Sequence, residues 1–133
     1  HRDLHSFPTR RSSDLLSACR TAVGDASAEL GFAGLAVASG VKTAIASLWY
    51  VSDRGTLGFM GEFYQQLREA PIKAEALRQT QLAMMRGEVR VENGQMVGSF
   101  GAVDLPDELV NSGAPDFQHP YFWSAFTSVG SPW

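Results

Sequence analysis

Cysteine is almost missing from this chain. Cys19 is its one copy in 133 residues, which excludes a disulfide framework within the chain. Histidine is scarce as well, at His1, His5 and His119, and past residue 15 one cysteine with one histidine cannot build a structural zinc site. The 11 basic and 14 acidic residues leave a mildly acidic balance with no Lys/Arg block, so nothing argues electrostatically for nucleic acid or an anionic membrane. No glycine loop of the phosphate-binding kind occurs. The most apolar stretch is bracketed by Lys42 and Arg54, well short of the ~18 apolar residues of a membrane span. The expectation from these absences is a cytoplasmic protein with no metal or cofactor, whose partners must be argued from a site.

What is present is apolar material for one core, 44% of the residues. The first fifteen residues contribute none of its patterning. They show neither a helical nor a strand period, and no apolar h-region of a signal peptide. Ser6 to Leu15 (SFPTRRSSDL) can be back-translated into the oligonucleotide of a widely used sequencing adapter, so residues 1–15 read as a non-native segment and 16–133 as part of one domain. Setting that segment aside also removes His1 and His5, leaving Cys19 and His119 as the only Cys and His.

Leu15 to Cys19 reads as the end of a short buried strand, followed by a polar loop through Asp25. Leu30, Ala33, Gly34, Val37 and Ala38 recur at helical spacing up to Ser39, and Gly40 stands where a helix-ending glycine belongs. Lys42 to Val51 is nearly continuous in apolar and β-branched residues, which suits a strand buried on both faces and favours a parallel sheet. Ser52 or Asp53 then caps an amphipathic helix to about Arg68 carrying Thr56, Phe59, Met60, Phe63, Tyr64 and Leu67. Pro71 separates it from a second helix over Ile72 to Met85. Strands alternating with helices predict an α/β sandwich. Between 87 and 118, glycines and prolines punctuate short runs, and Asn93-Gly94 predicts a small exposed hairpin with loop around it. The aromatic tail from His119 to Gly130 reads as a final strand.

Chemistry has few places to reside. Cys19 follows a strand at its carboxyl end, where open α/β sheets put their sites, and fits either a structural thiol or a nucleophile. His119 is the one candidate base within the remainder, yet its place before Pro120 and an aromatic cluster suits a turn or helix entry better. Trp49 and Asp53 close the second strand; there they serve either as core and cap or as an aromatic wall and carboxylate that read a bound peptide. Asp25 and Glu29 read as solvated.

Six segments in order carry a family resemblance. Leu16-Ser17-Ala18-Cys19-Arg20-Thr21, Gly31-Phe32-Ala33-Gly34-Leu35-Ala36 with Gly40-Val41-Lys42, and Ala46-Ser47-Leu48-Trp49-Tyr50-Val51-Ser52-Asp53 resemble the C-terminal half of a CHAT domain. Phe63 to Leu67, Lys73 to Arg78 and His119 to Phe126 continue it. CHAT domains are caspase-like cysteine peptidase domains, often attached to tetratricopeptide repeats in bacteria and distantly similar to separase. The resemblance implies a caspase-like three-layer α/β/α sandwich lacking its N-terminal part, with Cys19 as nucleophile. It implies Asp53 and Trp49 as substrate-binding residues, a peptide or protein substrate, and a basic residue read by Asp53. The alternative it leaves is a scaffold that binds peptide without cleaving it. The family's base is a His in a His-Gly pair, ~50 residues upstream of the Cys in caspase-type signatures. His5 is not followed by Gly, so these residues alone are expected to be inactive. With the early part of the sheet absent, an exposed strand edge and self-association are also expected.

Overall fold

The computed structural model describes residues 15–17, 33–110 and 116–133. Residues 1–14 and Cys19 fall outside these, and so does the adapter-like stretch except for Leu15. The fold is mixed α/β, as expected, and the chain divides into two compact units. One contains residues up to Tyr50 together with Ala125–Trp133; the other is Val51–Ser124.

The first unit is built on a mixed sheet of order β1-β2-β6. Strand β1 (Leu15–Ser17) pairs in parallel with β2 (Thr43–Ser47), which pairs antiparallel with β6 (Phe126–Gly130). All five residues of β2 are buried, the pattern read from its continuous apolar run. Small side chains set its packing: Ala44 and Ala46 meet Ala33, with Val37 and Val129 against the cluster. Ala33 and Val37 belong to α1 (residues 33–38). That helix ends as its glycine foretold. Gly40 takes φ +114°, its N–H donates to the Val37 carbonyl and the Val41 N–H to the Ala36 carbonyl, both at 3.1 Å, which is the Schellman pattern. Ala38, assigned from its spacing to the inner stripe, is exposed.

Strand β2 is shorter than its sequence suggests. Pairing stops at Ser47, opposite Phe126, because the partner strand begins there. One further bond, from Leu48 N–H to the Ala125 carbonyl at 2.8 Å, closes the ladder. The aromatic pair Trp49 and Tyr50 lies beyond it, exposed.

In the second unit, α2 (Asp53–Glu69) and α3 (Lys73–Met85) pack together, divided by Pro71 as expected. Phe59 and Phe63 of α2 are fully buried, each stabilising by about 1.5–3 kcal/mol over an exposed position. Within region 87–118 the described residues form more than a hairpin in loop. Strands β3 (Arg90–Glu92), β4 (Gln95–Gly98) and β5 (Gly101–Asp104) form an antiparallel meander, followed by the short α4 (Asp107–Val110). Asn93 and Gly94 take φ +53° and +75°, the left-handed pair expected of a type I′ turn. The meander is seated rather than free: Val89 and Met96 are buried against the glycines of α2, where a Cβ on Gly58 would lie 2.9 Å from Val89 Cγ1 and 3.1 Å from Met96 Sδ.

The tail splits in two. Its first part is not strand but the short helix α5 (Pro120–Trp123), because Pro120 at the first turn and His119 as cap favour helix entry. Gln81 Nε2 donates to the Trp123 carbonyl at 3.0 Å and Trp123 Nε1 to the Gln118 carbonyl at 3.0 Å, fixing α5 beside α3. Among the described residues no helix is long and apolar enough to cross a membrane.

Candidate active site

The parallel pairing of β1 and β2 sends both strands toward the same end of the sheet, with Ser17 opposite Ile45. Cys19 follows Ser17 by two positions and lies outside the described residues. Beyond the end of β2, the buried Ser47 hydroxyl donates to the Trp49 carbonyl, turning the chain tightly. Trp49 and Tyr50 are thereby carried at the carboxyl end of β2, 37% and 45% exposed, which is too open for core side chains. The core reading of Trp49 therefore gives way to a surface aromatic at the strand terminus.

Asp53 belongs to the second unit. The cap of α2 is Ser52, whose Oγ accepts the Gly55 N–H at 3.1 Å, and Asp53 is the residue after the cap. It sits exposed in the first helical turn, where the N-terminal macrodipole favours a carboxylate. His119 is exposed, and its Nδ1 accepts the Tyr121 N–H at 3.1 Å. That bond commits the ring to capping α5, in line with the helix-entry reading and against a role as base.

Two sets of polar residues escaped the sequence reading. On α2, Glu62 is 1% exposed, and Arg54 is buried on the same helix; Lys73 is buried at the start of α3. Glu62 accepts from Ser99 N–H at 3.0 Å, Ser99 Oγ at 2.6 Å and Gln66 Nε2 at 2.8 Å, so its burial is fully compensated. A signal was available: Gly55, Gly58 and Gly61 clear space along α2 for neighbouring side chains, Phe122 at the first, Val89 and Met96 at the second and Phe100 at the third. On α3, Glu75 accepts from Gln79 Nε2 at 2.6 Å and pairs with Arg78 at 3.0 Å. The Gln79 bond, opposed by burial and helped by the smaller effects of the Arg78 charge and hydrogen bond, lowers the Glu75 carboxyl from its ordinary value. These are neighbours one turn apart on a helix surface, which makes the shift structural rather than catalytic. Among the described residues, no three His, Cys, Asp or Glu side chains are placed to hold a metal ion.

A mixed α/β protein whose parallel strand pair leads into Cys19 on one side and an exposed aromatic pair on the other is thus defined. Residues 15–131 match the family model of the CHAT domain, nearly the whole chain, and the chain belongs to that family. Comparison with curated proteins and with solved structures gives no match.

Proposed function

We propose that the chain is the nucleophile-bearing part of a caspase-like cysteine endopeptidase of the CHAT type. The observation that supports this most is the parallel β1–β2 pair, with Cys19 two residues past the end of one strand and Trp49 two residues past the end of the other. Ligands of open α/β sheets bind at such carboxyl ends. In this reading the Cys19 thiolate attacks the scissile carbonyl, its own backbone N–H stabilises the oxyanion, and the amine leaves with a proton from the base. Water then hydrolyses the thioester. Trp49 offers an aromatic wall to the peptide, and Asp53, by the family resemblance, reads a basic side chain. The parent protein acts on peptide or protein substrates in the cytoplasm, with tetratricopeptide repeats as its candidate attached partners.

A second reading has its own observation. No His-Gly pair occurs in these 133 residues, which favours a peptide-binding scaffold if none occurs upstream either. Sequencing the gene upstream of residue 16 separates the two: the peptidase reading expects an apolar strand ending in His-Gly ~50 residues before Cys19. With that segment restored, arginine-containing peptides are cleaved and Cys19→Ala abolishes turnover; equal turnover in the variant excludes Cys19 as nucleophile. Asp53→Asn is expected to erode discrimination between arginine and neutral residues at the cleavage site, and unchanged discrimination removes Asp53 from that role.

A further inference from the structure

The Asn93-Gly94 turn takes no part in the proposed peptide chemistry, yet it joins the two features that make an asparagine reactive. Asn93 is exposed, at φ +53° in its type I′ turn. The residue after it has no Cβ to obstruct approach of its backbone nitrogen to the Asn93 carboxamide. We propose that Asn93 is a site of spontaneous deamidation, and that the reaction unseats the β3–β4 hairpin from α2.

The steps balance without any oxidant or cofactor. The Gly94 backbone nitrogen gives its proton to solvent and bonds to Asn93 Cγ. The Cγ–Nδ2 bond breaks and ammonia departs with a proton, leaving a five-membered succinimide. Water then adds to one of the two imide carbonyls and cleaves the C–N bond there. Opening at Cγ gives an ordinary aspartate; opening at the α-carbonyl reroutes the main chain through the side chain as isoaspartate, one methylene longer.

The two products differ in what they do to the hairpin. Asp-Gly suits a type I′ turn as well as Asn-Gly does, so aspartate leaves the pairing in place. Isoaspartate lengthens a two-residue turn whose geometry sets the register Glu92 with Gln95 and Val91 with Met96. Register cannot drift gradually, because a one-residue slip turns each side chain to the opposite face. Met96 is the side chain at stake, fully buried and close-packed on Gly58. In the same turn the Gly94 carbonyl accepts the Leu105 N–H at 3.1 Å, and Asn93 is exposed.

The test uses the whole chain aged in mildly alkaline buffer made with heavy-oxygen water. Peptide mapping by mass spectrometry, isoaspartyl methyltransferase labelling and amide hydrogen exchange are followed together. Asn93 is expected to take up heavy oxygen and the isoaspartyl mark several-fold faster than Asn111, whose following residue is Ser112. The isoaspartyl fraction loses amide protection at Arg90 and Val97, the next hydrogen-bonded pair beyond the turn, whereas Asn93→Asp retains it. Asn93→Gln, whose longer side chain disfavours the ring, abolishes the mark. The proposal is overturned if Asn93 in the folded chain reacts no faster than Asn111, or if the isoaspartyl fraction keeps its protection.

Discussion

Glu62 holds Ser99 twice, one carboxylate oxygen accepting the backbone N–H and the other the hydroxyl. The bond pair fixes the turn between β4 and β5 to the middle of α2. Removing the acceptor strands donors that folding has taken from water, so Glu62→Ala is expected to cost on the order of 1–3 kcal/mol, and Ser99→Ala, at an exposed residue, about 1. The double variant should cost less than the sum, because the partners share one interaction. Urea unfolding of the three variants measures this, and simple additivity counts against the clamp.

Glycine is required at two positions in the first unit for different reasons. Gly40 and Gly130 both have strongly positive φ, at +114° and +104°. A Cβ at Gly40 meets open space, whereas one at Gly130 collides with the Lys42 carbonyl. Gly40→Ala is expected to cost about 1–3 kcal/mol of backbone strain alone. Gly130→Ala should cost more and detach β6, read as lost amide protection along β2.

Capping separates two adjacent polar residues at the start of α2. Ser52→Ala is expected to destabilise by about 1 kcal/mol, and Ser52→Asp, which keeps an acceptor, to restore most of it. Thermal unfolding checks this. An unaffected midpoint in Ser52→Ala would return the capping role to Asp53.

Glu75 should titrate below its ordinary value by NMR, and Gln79→Ala and Arg78→Ala should each raise it. A carboxyl whose folded pKa is depressed contributes stability above its unfolded value and loses it as pH falls through the folded one. The contribution of this exposed network is therefore present at neutral pH and disappears only in acid.

Helices α2 and α3 were legible because their aromatic and aliphatic residues keep a helical period between a cap signal and Pro71. The β3–β4 turn was legible because Asn-Gly leaves the backbone few alternatives. Strand β5 was not, since Gly101-Ala102-Val103-Asp104 is exposed at every position and carries no alternation of faces. Glu62 was equally hidden: a charged residue on an apolar stripe reads as surface until the Ser99 donors that compensate it come into view. The end of β2 was misjudged for a third reason, as the partner β6 rather than the apolar run decides where pairing stops. Of the candidate site, the strand leading into Cys19 and the termination at Trp49 could be read from pattern. The exposure of Trp49 depends on the Ser47 turn, which no periodicity encodes.

Strand β2 acquires its second neighbour from beyond the second unit, the whole of which intervenes in sequence between Ser47 and Phe126. During synthesis, β2 therefore emerges with one ladder edge that stays incomplete until Phe126–Gly130 have been made. Long-range closures of this kind carry their entropy cost before any contact rewards it. The interval is a window of vulnerability, because an apolar strand with an unpaired edge is a template for another chain. Loss of Phe126–Gly130 would make that window permanent.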